Sequence, residues 1–343
     1  MISIRRLTLA LVLSLTLVLG AGLPAQAATK LRISHNAGPG QPITEGIEHL
    51  AKIVGERTDG RVEIEIFPNN ILGNDLTVRD MLVEGTVDMQ SVGNGFLANW
   101  TGAMQIVCVY YAYNDEAEMH AVHTGKDFGQ KYFHEPFLKE RGVRILDMWP
   151  QSPRHLISKR PVRSQADMKG LKLRTPVGIP VYDDLWGRLG VMPMALALED
   201  AFTGMQQGVC DAVEMPLDFM RSYRFAEVAK YLTLTHHLLY DQLLLINENS
   251  FNKLSDGDKK ILTDAVAETS KLVNDKRLAL DAKIMEEFKA MGVEVIELSP
   301  ETVAEFQQII EPVFEDRAKD LWTPQIAADF KAAIKNYREA NAQ

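Results

Sequence analysis

Segments of period two and period 3.6 alternate along most of this chain, and that alternation admits few folds. Lys30 to Ser34 reads as a strand and Ile43 to Glu56 as an amphipathic helix that Gly60 closes. Arg61 to Phe67 then places Val62, Ile64 and Ile66 on one face. A helix over Leu76 to Val83, Gly85 and a buried strand over Val87 to Val92 complete a βαβαβ series. That order implies parallel strands with helices packed on the faces of the sheet.

After a predicted helix at Tyr132 to Lys139 and a strand at Val143 to Trp149, the series begins again. Strands are expected at Ser158 to Arg160, Leu171 to Arg174, Met192 to Met194 and Ala212 to Glu214. Helices are expected at Pro180 to Leu189 and Leu198 to Gln207. One restart in mid-chain predicts two similar α/β lobes with a cleft between them. The expected division is 28–151 with about 241–280 in one lobe, and 152–240 with about 281–343 in the other. From Asp256 to Met291 neither proline nor glycine interrupts the run after Gly257. Ser255 and Asp258 form an acidic capping box, and Gly292 suits the position past the end. At 1.5 Å per residue one such helix reaches roughly 50 Å, enough to back both lobes. A break near Asn274 to Lys276 is the other reading.

The first 27 residues read as a signal peptide. Arg5 and Arg6 precede an apolar stretch from Leu9 to Leu19, and Ala25-Gln26-Ala27 is a small-x-small cleavage site. Cleavage near Ala27 predicts an exported chain without a lipid anchor. Without Arg5 and Arg6 the formal charge of −9 becomes −11, which argues against nucleic acid as a partner. Cys108 and Cys210 sit in apolar, strand-like runs and are expected as buried free thiols. No cofactor or metal motif is visible: there is no Cys-x-x-Cys, no His-Glu-x-x-His and no Gly-x-Gly-x-x-Gly after a strand. His236-His237 has no acid or cysteine at useful spacing and reads as structural.

Arg174 is the strongest candidate binding residue. It ends the run Leu171-Lys172-Leu173-Arg174 just before Pro176. The carboxyl ends of strands in α/β folds face the ligand crevice. A guanidinium there suits a carboxylate or phosphate held by two parallel hydrogen bonds.

Three spaced motifs resemble the periplasmic solute-binding proteins of tripartite ATP-independent (TRAP) transporters, of the dicarboxylate-binding type. They are Gly60 to Ile64 with Phe67-Pro68-Asn69 and Glu84 to Met89, Asp167 to Pro176, and Gly208 to Pro216. The resemblance implies a two-lobed periplasmic-binding-protein fold that closes on a small organic acid and delivers it to membrane permease subunits. It implies a monomer in the periplasm, without catalytic residues or cofactor, drawing on an ion gradient. It also implies that Arg174 pairs with a ligand carboxylate, and that Arg154 approaches it as a second arginine. Asn36, Asn94, Trp149, Glu214, Met215 and His237 then line the cleft. The chain departs from the pattern at Met215, where some members carry asparagine, and at Phe96, where sialic-acid binders have a further arginine. Trp149 suits stacking on a sugar acid, or contact with an aromatic or short aliphatic acid. The rival readings are a sensing module, an ABC-type binding protein, or a hydrolase or lyase using Glu214 and His237 as acid and base.

Overall fold

A computed structural model describes residues 28–342. The signal peptide expected over residues 1–27 lies outside the described residues. Among the described residues, nine strands form one sheet: β1 Thr29–His35, β2 Val62–Phe67, β3 Met89–Gly93, β4 Val143–Ser158, β5 Lys172–Thr175, β6 Met192–Ala195, β7 Ala212–Met215, β8 Tyr231–Asn247 and β9 Glu294–Glu297. Their order is β2-β1-β3-β8-β4-β7-β5-β6, with β9 paired to β8. Both flanks are parallel, β2-β1-β3 on one side and β7-β5-β6 on the other. This is the mixed α/β architecture expected from the alternating pattern.

The two flanks are joined by the antiparallel pair β4 and β8, which runs from Val143 opposite Asn247 to Ser158 opposite Tyr231. The expected break after Trp149 is absent. Val143 to Trp149 and the start of the predicted Ser158 to Arg160 strand belong to one strand of 16 residues. Two prolines lie in that stretch, and proline cannot donate to a ladder. Pro150 nonetheless pairs opposite Asp241, and Pro153 falls in a register shift between Gln151 and Arg154, where pairing is already interrupted.

Packing follows the two faces of this sheet. Leu243 and Leu245 of β8 point into one apolar core, with Leu156, Leu171, Tyr182 and Phe330. Leu244 and Ile246 point into the other, with Leu31, Val213, Met215 and Phe288. Period-two alternation thus divides the interior by face, and each core draws on both flanks.

Asp256–Ala290 is a single helix of 35 residues. The Ser255 hydroxyl accepts from the Asp258 N–H at 3.1 Å, so the predicted cap is formed. One end is held by Arg61 with Asp258 at 2.9 Å, and the other by Lys230 Nζ donating to the Met291 carbonyl at 3.1 Å. Midway, Gly46 of helix Pro42–Arg57 lets the two helices meet; a Cβ there would lie 2.3 Å from Val273 Cγ2. The helix predicted at Tyr132 to Lys139 begins earlier, as a π-helical stretch Lys126–His134 leading into α-helix Glu135–Arg141. Cys108 and Cys210 are buried and free. They lie outside the strands, after helix Gly102–Ile106 and before β7.

Candidate ligand-binding site

Arg174 is the third residue of β5, between Val213 of β7 and Met194 of β6. Its side chain is buried, at 3% exposure. Nε donates to the Leu196 carbonyl at 2.9 Å, its one hydrogen bond among the described residues. No carboxylate of the described residues forms an ion pair with it. Burial therefore pushes its pKa down to about 10, with the charges of Glu214 and Asp75 working against that loss. The two terminal nitrogens remain to meet a ligand.

Arg154 contrasts with it. It sits on β4 and clasps Glu214 of β7 with Nε to Oε2 at 2.7 Å and Nη2 to Oε1 at 2.8 Å. Nη2 also donates to the Glu214 carbonyl oxygen at 2.9 Å. The guanidinium lies 4.9 Å from the Tyr240 ring and 5.6 Å from that of Tyr182, within cation–π range. Glu214 is fully buried and also contacts His237 Nε2 at 3.0 Å. Burial alone would raise the Glu214 carboxyl, but Arg154 and His237 hold it at about 2. Burial lowers the His237 pKa against the pull of the Glu214 carboxylate.

Above this pair opens a small cavity. Asn36, Arg154, Arg174, Tyr182 and Tyr240 supply its polar wall. Phe96, Ile179, Leu198, Met215 and Phe219 line the rest, with prolines 176 and 216. A smaller chamber shares Arg174, Phe96 and Leu198 with it and adds Asn74, Asp75 and Glu199. Burial, with the Glu199 charge, lifts the Asp75 carboxyl to about 7 against the pull of Arg174. Asp75 accepts from Asn36 Nδ2 at 3.0 Å.

Of the residues expected at the cleft, Arg174, Arg154, Asn36 and Met215 stand in the cavity wall. Glu214 and His237 lie behind Arg154 and are outside the wall. Trp149 is not brought to the cavity: it is fully buried in the core on one sheet face, its indole N–H donating to Asp147 at 3.1 Å. Asn94 is also buried, beside Cys108 Sγ at 3.6 Å, and is absent from the wall. Sequence reasoning missed Tyr182, Ile179, Leu198, Phe219 and Tyr240. Ile179 and Tyr182 had a readable signal, because Pro176 and Pro180 fold that segment over the end of β5. Tyr240 lies inside β8, where no spacing distinguishes it.

The profile of the bacterial extracellular solute-binding proteins, family 7 (DctP), matches residues 33–320. A solute-binding protein from Roseobacter denitrificans is 36% identical over 224 residues, 64% of this chain and 68% of that one. The sialic acid-binding periplasmic protein SiaP of Vibrio cholerae is 28% identical over 328 residues, 95% of this chain and 98% of its own. Among solved structures, a TRAP periplasmic solute-binding protein from Desulfovibrio salexigens with bound orotic acid superimposes with a TM-score of 0.82. Its identity is 27%, and the match covers 92% of this chain and 99% of that one.

Proposed function

This chain belongs to the bacterial extracellular solute-binding proteins of family 7, and from that premise we propose that Arg174 captures the carboxylate of a small organic acid for a TRAP membrane permease. Members of the family bind solutes and are not enzymes; they include proteins for sialic acid and orotic acid. The observation that carries the reading is the buried guanidinium with no carboxylate of its own. A folded chain does not keep a charge in that state without a use for it.

The mechanism is a clamp. With the lobes apart, Arg174 is solvated, and an exposed ion pair contributes only about 0–1 kcal/mol. Closure excludes water, and the fork then grips the carboxylate in a low dielectric. The proposed lobes are 28–151 with 241–280, and 152–240 with 281–343. The register shifts of β4 between Gln151 and Leu156 form the hinge, since interrupted pairing there lets the strands bend. Gln41 Nε2 to Asp218 at 3.1 Å and Arg221 to the Gly40 carbonyl at 3.2 Å bridge the lobes in the closed form. If the permease accepts only that form, ligand binding raises the share of protein fit for delivery. Glu214, doubly held by Arg154, is a poor base at neutral pH, which supports binding over acid–base chemistry. A monomer exported through a cleavable leader ending at Ala27 completes the proposal.

A thermal-shift screen over organic acids followed by calorimetry tests it. Losing one partner of a buried charge pair costs roughly 3–5 kcal/mol, about two to three and a half decades in affinity. Arg174→Ala should lose measurable binding while circular dichroism stays native. Arg174→Lys should also bind poorly, because an ammonium cannot fork; affinity within about threefold of wild type would remove the bidentate grip.

A further inference from the structure

We infer that the ligand is a monocarboxylate with a compact, mostly apolar body, such as an aromatic or branched aliphatic acid, and neither a dicarboxylate nor a polyhydroxylated sugar acid. This rests on the organic-acid reading above and narrows it by counting what the cavity wall has left to offer.

Charge comes first. Two guanidinium groups reach the wall, but the Arg154 charge is matched by Glu214 through two side-chain hydrogen bonds. Among the described residues that line the cavity, Arg174 is the one cation without a carboxylate partner. A second carboxylate on the ligand would face Phe96, Ile179 or Met215, or approach Asp75 and Glu199 in the adjoining chamber. Each of those places disfavours an anion.

Hydrogen-bonding capacity comes second. Asn36 looks like a partner for hydroxyls, yet half of its amide's capacity is already taken. Nδ2 donates to Asp75 Oδ1 at 3.0 Å, and Oδ1 accepts from Gln242 Nε2 at 3.2 Å. Two phenols remain. The Tyr182 hydroxyl is buried without a protein partner. That of Tyr240 packs against Gly93, where a Cβ would lie 1.3 Å from it. Beyond the carboxylate, the polar atoms left to a ligand are Arg154 Nη1, one N–H of Asn36 and the two phenols, against an apolar majority of Phe96, Ile179, Leu198, Met215, Phe219 and two prolines. A hexonate carries five hydroxyls, and those left facing Leu198, Met215 and Phe219 would lose water without replacement.

The test is calorimetry at pH 7 on the purified protein with six probes: phenylacetate, benzoate, 4-methyl-2-oxopentanoate, succinate, D-glucuronate and D-galacturonate. The expected result is that one of the first three binds tightest, ahead of the last three by about tenfold or more, the scale of one or two buried hydroxyls left without partners. Met215→Asn, which adds an amide to the apolar wall, should weaken that acid and narrow the gap to D-glucuronate. A uronate or succinate binding at least as tightly as the best of the first three, with Arg174→Ala still abolishing it, overturns this inference and leaves the organic-acid reading standing. Heatless titrations with all six, in wild type as in Arg174→Ala, overturn both.

Discussion

Two arginines of the same cavity should respond oppositely to removal. Arg174 is buried without a counter-ion, so Arg174→Met should leave the melting temperature of the ligand-free protein unchanged or raise it while binding disappears. Arg154→Ala leaves the Glu214 charge buried and unpaired, a loss of roughly 3–5 kcal/mol, and Glu214→Gln in the same chain should recover part of it. Paired thermal melts and titrations separate the two roles. Asp75 supplies a pH effect. Its folded pKa of about 7 lies above the ordinary carboxylate value, so the stability it contributes is full below about pH 4 and is lost as pH rises through 7. Asp75→Asn should flatten that loss, seen as a higher melting temperature than wild type at pH 8 and little difference at pH 4. Facing Arg174, Glu199, Tyr223 and Tyr240, an ionised Asp75 also offsets the guanidinium. Affinity for a carboxylate should therefore fall from pH 6 to pH 8 in wild type and stay level in Asp75→Asn. The position of Arg174 was legible because strand alternation and Pro176 fix it locally. The tie between Arg154 and Glu214 was not legible, since it depends on the register that sets Leu156 opposite Glu214.

Among the elements, the long helix was the most readable: a cap, an apolar spacing and the lack of interior breakers are all local signals. Its partner was not. That helix Pro42–Arg57 meets it at Gly46 follows from tertiary packing, which leaves no mark on the sequence beyond a glycine in a helix. Gly46→Ala should force Val273 or the helix axis to move, at a cost of about 1–3 kcal/mol. Val273→Ala in the same chain should relieve part of that, and chemical denaturation of the four variants measures the coupling. The β4 strand shows the reverse failure. Proline is a local obstacle to a ladder, and pairing with β8 on either side of the register shift overrode it.

For the whole molecule, a ligand at 100 times its dissociation constant should add about 2.7 kcal/mol to stability, and X-ray scattering should show a smaller radius of gyration as the lobes close. An unchanged radius on saturation would remove the clamp. The restart of the strand–helix series announced two similar halves, and the flanking parallel triplets bear out that much of the architecture. Hidden from the sequence was how the halves share an interior, because that depends on β4 and β8 each crossing the full width. Since apolar residues from both halves meet on either side of one sheet, neither half alone encloses a dry interior. Cut at residue 151, the pieces would expose their oily faces and be degraded or precipitate, whereas the intact polypeptide should melt in one calorimetric step. A clamp of the proposed kind would bend without ever becoming two proteins.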